Sequence, residues 1–85
     1  MSIPARMMAI ADTFEALTAG DRPYKKAKSL SEAIRIMGFM QQDHHIDPEL
    51  FALFLRSGVY LRYAERYMNS ELIDEVDISP YLANH

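Results

Sequence analysis

The sequence predicts an all-α fold, a small bundle of four to five helices. Glycine and proline are scarce, with 3 and 4 residues of the 85. Apolar residues recur at intervals of three and four along almost the whole chain, which is the spacing of a helix face. No segment alternates apolar and polar residues as a half-buried strand would. Since 85 residues suffice for one small core, we expect a single domain over residues 1–85.

The first helix is predicted to begin at Ser2, as its N-cap, and to run to about Ala19. Serine is favoured at an N-cap, and Pro4 in the first turn fits because the first helical N–H groups need no helical partner. One stripe of this helix is apolar throughout, which predicts that it packs against the rest of the bundle. The stripe consists of Ile3, Met7, Ile10, Phe14 and Leu17.

The second helix is predicted from about Leu30 to about Gln42, after a loop that follows Gly20. Gly20 suits a helix C-cap, and Ser29 and Glu32 have the spacing of a capping box. The side chains predicted to face inward are Leu30, Ala33, Ile34, Met37 and Met40.

Two shorter helices and a tail complete the predicted bundle. Asp47 caps a third helix with proline at its first position, a favoured arrangement. This helix ends at Ser57-Gly58, and a fourth runs from about Val59 to about Met68. Asn69 begins a short last helix, and residues 76–85 are expected to form an extended tail.

The first helix also carries apolar residues on the side opposite its main stripe. At about 100° per residue, Asp12 falls in the middle of this second face, which predicts a buried central helix. A carboxylate buried there would need a metal ion, a cation or hydrogen-bond donors. From periodicity alone, a carboxylate that faces solvent or bonds to a helix end remains equally open. The other members of the face are Ala5, Met8, Ala9 and Ala16.

Composition narrows the classes of function. The net charge of −3 without a basic run argues against a nucleic-acid partner. The absence of cysteine excludes disulfides and thiolate metal sites. The apolar runs are too short to span a bilayer, so we expect no membrane partner. Residues 1–4 lack the character of a signal peptide, and a cytoplasmic location is the expectation.

Two segments resemble the HD-GYP family of metal-dependent phosphohydrolases. Residues 3–18 read IPARMMAIADTFEALT, and residues 21–25 read DRPYK. They are similar to the family pattern I-P-x-x-A-R-I-x-x-I-A-D-x-[FY]-[DE]-A-L-T followed by R-P-Y-K. The resemblance covers residues 3 to about 55 and implies the C-terminal part of an HD-type helical domain.

The resemblance implies hydrolysis of the bacterial second messenger cyclic di-GMP at a centre of two or three iron or manganese ions. The residue at the position of Asp12 is a metal ligand in that family, and Arg22 and Lys25 stand where cations bind the substrate phosphates. Glu15 and Tyr24 are candidates to support these groups without contacting the metal. Without the resemblance, a loop with these cations is more often simply solvated.

The sequence lacks the His-Asp dyad and the His-His-Glu and Gly-Tyr-Pro segments of the family. We therefore expect a C-terminal fragment that binds no metal alone, is inactive and binds cyclic di-GMP weakly or not at all. The alternative is a non-catalytic helical interaction module. In either case the second face of the first helix predicts a homo-oligomer, most simply a dimer. His44 and His45 are interpreted as a solvated loop.

Overall fold

The computed structural model describes residues 3–19 and 27–82, and over these ranges the chain forms helices and no strand. The all-α prediction is confirmed. The helices are α1 (Ile3–Thr18), α2 (Leu30–Gln42), α3 (Pro48–Arg56), α4 (Val59–Tyr67) and α5 (Ser79–Leu82), with a 3₁₀ turn at Ser70–Leu72.

Local sequence signals fix the starts of α2 and α3. The Ser29 hydroxyl accepts a hydrogen bond from the Glu32 N–H at 3.3 Å. The Asp47 carboxylate accepts from the N–H groups of Glu49 and Leu50, at 2.9 and 3.2 Å. Side-chain acceptors of this kind satisfy N–H groups that have no partner within the helix. The predicted cap at Ser2 lies outside the described residues.

The two histidines lie where α2 ends. The His45 N–H donates to the Met40 carbonyl at 2.8 Å, and the His44 N–H donates to the Gln41 carbonyl at 3.1 Å. These two bonds make a Schellman motif, in which the residue after the cap takes a left-handed conformation. His44 accordingly has φ 61°, at a position where glycine is more usual. Both histidine side chains are exposed.

The core lies where α1 packs on α2 and α3, with α4 packing on α3. Phe14 is fully buried and is the aromatic centre of this core. Its ring meets those of Phe54 and Tyr63 edge to face, with centroids 5.4 and 5.5 Å away. Four of the five inward residues predicted for α2 are buried, and Met40 is partly buried. The other large, fully buried side chains are Ile10, Leu30, Ile34, Met37, Phe51 and Leu55.

Residues 76–85 were expected to form an extended tail, but the part that the structure describes is not extended throughout. It turns into the short helix α5 before residue 83, and its apolar side chains pack on the core. The Tyr81 ring covers Gly38 so closely that a Cβ there would lie 2.7 Å from a ring carbon. Just before this segment, the Asp74 carboxylate accepts a hydrogen bond of 2.8 Å from the Ser31 N–H at the start of α2. The missing side chain at Gly38 is what lets the chain return onto α2.

Candidate functional site

Asp12 lies on the solvent-facing side of α1. Its neighbours on that face are exposed as well, and Met8 keeps 65% of its surface in contact with solvent. The burial that the two-faced pattern of α1 predicts is therefore not supplied, on this second face, by the described residues of the chain itself. The packed helices cover one side of α1 and leave the carboxylate with its small apolar neighbours accessible. The exposed neighbours are Ala5, Met8, Ala9, Glu15 and Ala16.

The other predicted site residues, Arg22, Tyr24 and Lys25, lie outside the described residues. What the structure does show is how the flanks of this loop are held. The Lys28 N–H donates to the Leu17 carbonyl at 3.1 Å, so the chain re-enters the fold beside the C-terminal end of α1. The buried Thr18 hydroxyl donates to the Phe14 carbonyl at 2.8 Å within that last turn. Both ends of the loop are thus attached near one end of the helix that carries Asp12.

A pair of tyrosines from α4 packs on α1 through the Phe14 ring, and the sequence alone did not reveal it. Tyr63 and Tyr67 have ring centroids 4.6 Å apart, tilted by 44°. Burial raises the pKa of the Tyr63 phenol, and the charges of Glu15 and Asp12 contribute to the same rise. A four-residue spacing places two side chains on the same face of a helix. It could not show that this face turns toward α1.

The N-terminal half of α1 is tied to the start of α3 by an ion pair. The Arg6 guanidinium lies 3.1 Å from the Asp47 carboxylate. The Leu50 and Glu49 N–H groups, together with Arg6, hold the pKa of Asp47 below its ordinary value of 3.8. A pocket of about 360 Å³ opens next to this pair and is lined by Arg6, Ala9, Ile10, His44, His45, Ile46, Asp47 and Pro48.

Divalent metals bind to several ligands that are held in one place. Among residues 3–19 and 27–82, no group of three or more His, Asp or Glu residues is placed to hold a metal ion. Asp12, the predicted metal ligand, is an exposed carboxylate, and Glu15 lies about one helical turn away on the same exposed side. The described residues therefore do not fit a complete metal centre. None of the described helices is long and apolar enough to cross a membrane.

Comparison with known proteins finds one family model and two relatives that match part of the chain. The family model described as HD domain matches residues 1–50. A cyclic di-GMP phosphodiesterase of Pseudomonas aeruginosa is 43% identical over 61 residues, which is 71% of this chain and 14% of that protein. A 3′3′-cGAMP-specific phosphodiesterase of Vibrio cholerae is 37% identical over 58 residues, 68% of this chain and 13% of that protein. These matches confirm the resemblance to HD-GYP-type phosphohydrolases over part of the chain. No solved structure matches significantly.

Proposed function

Because this chain belongs to the HD domain family, we propose that it contributes one metal ligand and the phosphate-binding loop to a cyclic dinucleotide phosphodiesterase. Both relatives carry names of such phosphodiesterases, and the family implies the use of a divalent metal. The chain spans about one seventh of the length of either relative, so the activity of the whole protein is part of the proposal. The messenger acts inside bacterial cells, and a cytoplasmic location belongs to the same proposal.

The placement of Asp12 is the observation that carries this proposal. Its carboxylate is exposed at the centre of a helix face whose other members are mostly small. A hard, anionic oxygen on a rigid helix suits iron or manganese, and small neighbours leave room for further ligands to approach. Glu15 lies about one helical turn after Asp12 on the same exposed side, and the role proposed for it is to support such a site through a hydrogen bond.

We further propose that these 85 residues do not hydrolyse cyclic dinucleotides by themselves. A metal that activates water for attack on phosphorus needs several ligands and one open position. Asp12 and Glu15 together are fewer than that number of ligands. The remaining ligands would have to come from other polypeptide, packed on the exposed face of α1.

The substrate phosphates are assigned to the loop after α1. Arg22 offers two parallel N–H donors to a phosphate, and Lys25 offers a compact charge. Tyr24 between them would help to hold the pair in place. Two cations without metal ions give only a weak attraction that physiological salt screens further. Sub-micromolar binding of cyclic di-GMP to the chain alone would contradict this assignment.

Reconstitution tests the proposal. The chain is mixed with a separately expressed segment of a related phosphodiesterase that carries the HD, HHE and GYP residues, in the presence of Mn²⁺. We expect linear dinucleotide to appear in the mixture, and to disappear with Asp12→Ala. Glu49→Ala is the matched control, because Glu49 is an exposed carboxylate on a different helix, and it should leave activity intact. Activity that is indifferent to Asp12→Ala in a mixture that needs this chain would overturn the proposal.

The exposed face of α1 also favours a second candidate, a non-catalytic module that pairs two copies of this chain. Monomeric soluble proteins rarely expose a continuous apolar strip. Alanines let two helix backbones approach closely, while Met8 adapts to an imperfect fit. Two Asp12 carboxylates would repel each other near a two-fold axis, so the crossing point is expected near Ala5 and Ala9.

Sedimentation at micromolar concentration tests the dimer. Met8→Glu combined with Ala9→Glu should give monomers, because the charges would be buried in the interface. Leu53→Glu is the control, because Leu53 is 45% exposed on α3 and lies outside the proposed interface. This variant should sediment as the wild type does. A wild-type chain that sediments as a monomer at all concentrations would rule out this candidate.

A further inference from the structure

A glycine inside α2 makes room for a tyrosine ring from near the end of the chain. Gly38 is buried in the helix, where glycine is less favourable than alanine because it loses more backbone freedom on folding. A Cβ at this position would lie 2.7 and 2.9 Å from two carbons of the Tyr81 ring. The same ring meets the buried Phe51 ring of α3 edge to face, with centroids 6.1 Å apart. Gly38 and Phe51 thus form a slot for one aromatic ring.

A second contact holds the same stretch of chain at the start of α2. The Asp74 carboxylate accepts hydrogen bonds from the Ser31 N–H, at 2.8 Å, and from the Ser31 hydroxyl. Ser31 lies in the first turn of α2, where N–H groups have no partner within the helix. Residues 74–82, the C-terminal segment, therefore run along α2 from its first turn to Gly38 and are held at both ends.

The C-terminal segment is attached to the core without belonging to its buried part. None of residues 65–82 is buried, and the last buried residue is Ala64. The helix α5 has four residues, too few to be stable without tertiary packing. A segment with few buried side chains and little structure of its own opens locally at a low free energy. The apolar side chains that pack partly on the core are Val76, Ile78, Tyr81 and Leu82.

We propose that the C-terminal segment is a releasable ligand of α2, and that the same segment of a second copy of the chain can take its place. Contacts made by the second copy would be those already seen within one chain: a carboxylate at Ser31 and a ring in the slot. Within one chain, the short connection after Tyr67 gives the segment an effective concentration of roughly millimolar. A second copy competes when chain concentration approaches that value. This inference is independent of the proposed function.

Amide hydrogen exchange of the full chain tests the release. The Ser31 N–H is protected by Asp74 alone, and the Tyr81 N–H donates to the Ile78 carbonyl at 3.0 Å within the segment. If one opening frees the whole segment, these two amides exchange with the same protection factor, well below that of the α3 core. Gly38→Leu fills the slot with a better helix former, and it should lower both protection factors together.

A peptide with the sequence of residues 73–82 is the probe for the segment of a second copy. A chain that is open in roughly 0.1–10% of molecules binds the peptide with a Kd about 10- to 1,000-fold higher than an open chain does. Tyr81→Ala in the full chain empties the slot, so it should lower the Kd for the peptide by a factor in this range. That factor should match the ratio of closed to open chain from the exchange of Ser31. Tyr67→Ala is the matched control, because Tyr67 is 65% exposed on α4, and it should leave the Kd at the wild-type value.

Four results would overturn the inference. Different protection factors at Ser31 and Tyr81 would mean that the two contacts do not open together. Loss of the whole fold in Tyr81→Ala would make the segment an integral part of the core. Failure of millimolar peptide to bind Tyr81→Ala would exclude replacement by a second copy. Equal binding to Tyr81→Ala with and without Gly38→Leu would place the peptide outside the slot.

Discussion

The two faces of α1 are both largely apolar, but they differ in how far their side chains are buried. On the inner face, Ile10 and Phe14 retain 1% and 0% of their surface. On the outer face, Met8 retains 65%, and Asp12 is exposed among alanines. The bundle thus completes the packing of one side of this helix and leaves the other side accessible. Asp12 and Glu15, the described residues of the proposed metal site, lie on the accessible side.

Under the proposed function, the stability of the chain and its function depend on opposite sides of one helix. The contribution of the inner face is measured by how much the removal of its side chains lowers the free energy of unfolding. The outer face contributes little to the stability of the chain and can be judged by what binds to it. Substitutions on the two faces should therefore separate cleanly into effects on unfolding and effects on binding.

The largest expected effect comes from Phe14→Ala. Truncation of a buried phenylalanine typically lowers the free energy of unfolding by about 3–5 kcal/mol. The substitution also removes the two ring contacts of Phe14, so we expect a loss of unfolding free energy in that range or an unfolded chain. Met8→Ala on the outer face should change the free energy of unfolding by about 0.5 kcal/mol or less. Urea unfolding followed by circular dichroism measures both, and similar losses from the two variants would break the comparison.

A smaller effect is expected from acid, because the ion pair between Arg6 and Asp47 fastens α1 to α3. The pKa of Asp47 is lower in the folded chain than its ordinary value of 3.8. A lowered pKa stabilises the fold above the unfolded value, and this stability is lost as the pH falls through the folded value. Thermal stability should therefore decline below about pH 4.

Asp47→Asn provides the control for the acid experiment. The amide still accepts hydrogen bonds at the start of α3, but it has no charge to lose. This variant should be less stable than the wild type at neutral pH, and its own decline in acid should be shallower. The same slope in both proteins would assign the acid sensitivity to other carboxylates, such as Asp74.

The smallest effect on stability is expected from Asp12→Asn. Replacing an exposed side chain by a similar one usually changes the free energy of unfolding by about 0.5 kcal/mol or less. Thermal unfolding in buffers free of divalent metal is the measurement. A strong destabilisation would mean that Asp12 has a structural role within this chain.

The sequence predicted the helices well because their starts and ends are set locally. The starts of α2 and α3 follow from Ser29 and Asp47, whose side chains accept the N–H groups that a helix leaves unpaired. The break between α3 and α4 follows from Gly58, which has φ 80°. These signals act within a few residues, so they can be recognised without knowledge of the fold.

Features that depend on distant contacts were predicted poorly. The chain after residue 69 was expected to end in an extended tail, yet it folds back because Tyr81 finds space over Gly38. The two-faced pattern of α1 predicted burial on both sides, although the described residues cover only one. The contact of Tyr63 with Phe14 was equally invisible, since a periodic pattern gives a face but not its partner.

The most direct test of the central claim is a hydrolysis assay of the purified 85-residue chain. Cyclic di-GMP is incubated with the chain and Mn²⁺ or Fe²⁺, and linear dinucleotide is measured by chromatography. We predict no turnover above the metal-only blank, because residues 3–19 and 27–82 bring together no group of three or more side chains that could hold a metal ion. Metal-dependent turnover that survives Asp12→Ala would contradict the account, since it would place a complete catalytic centre elsewhere in these residues.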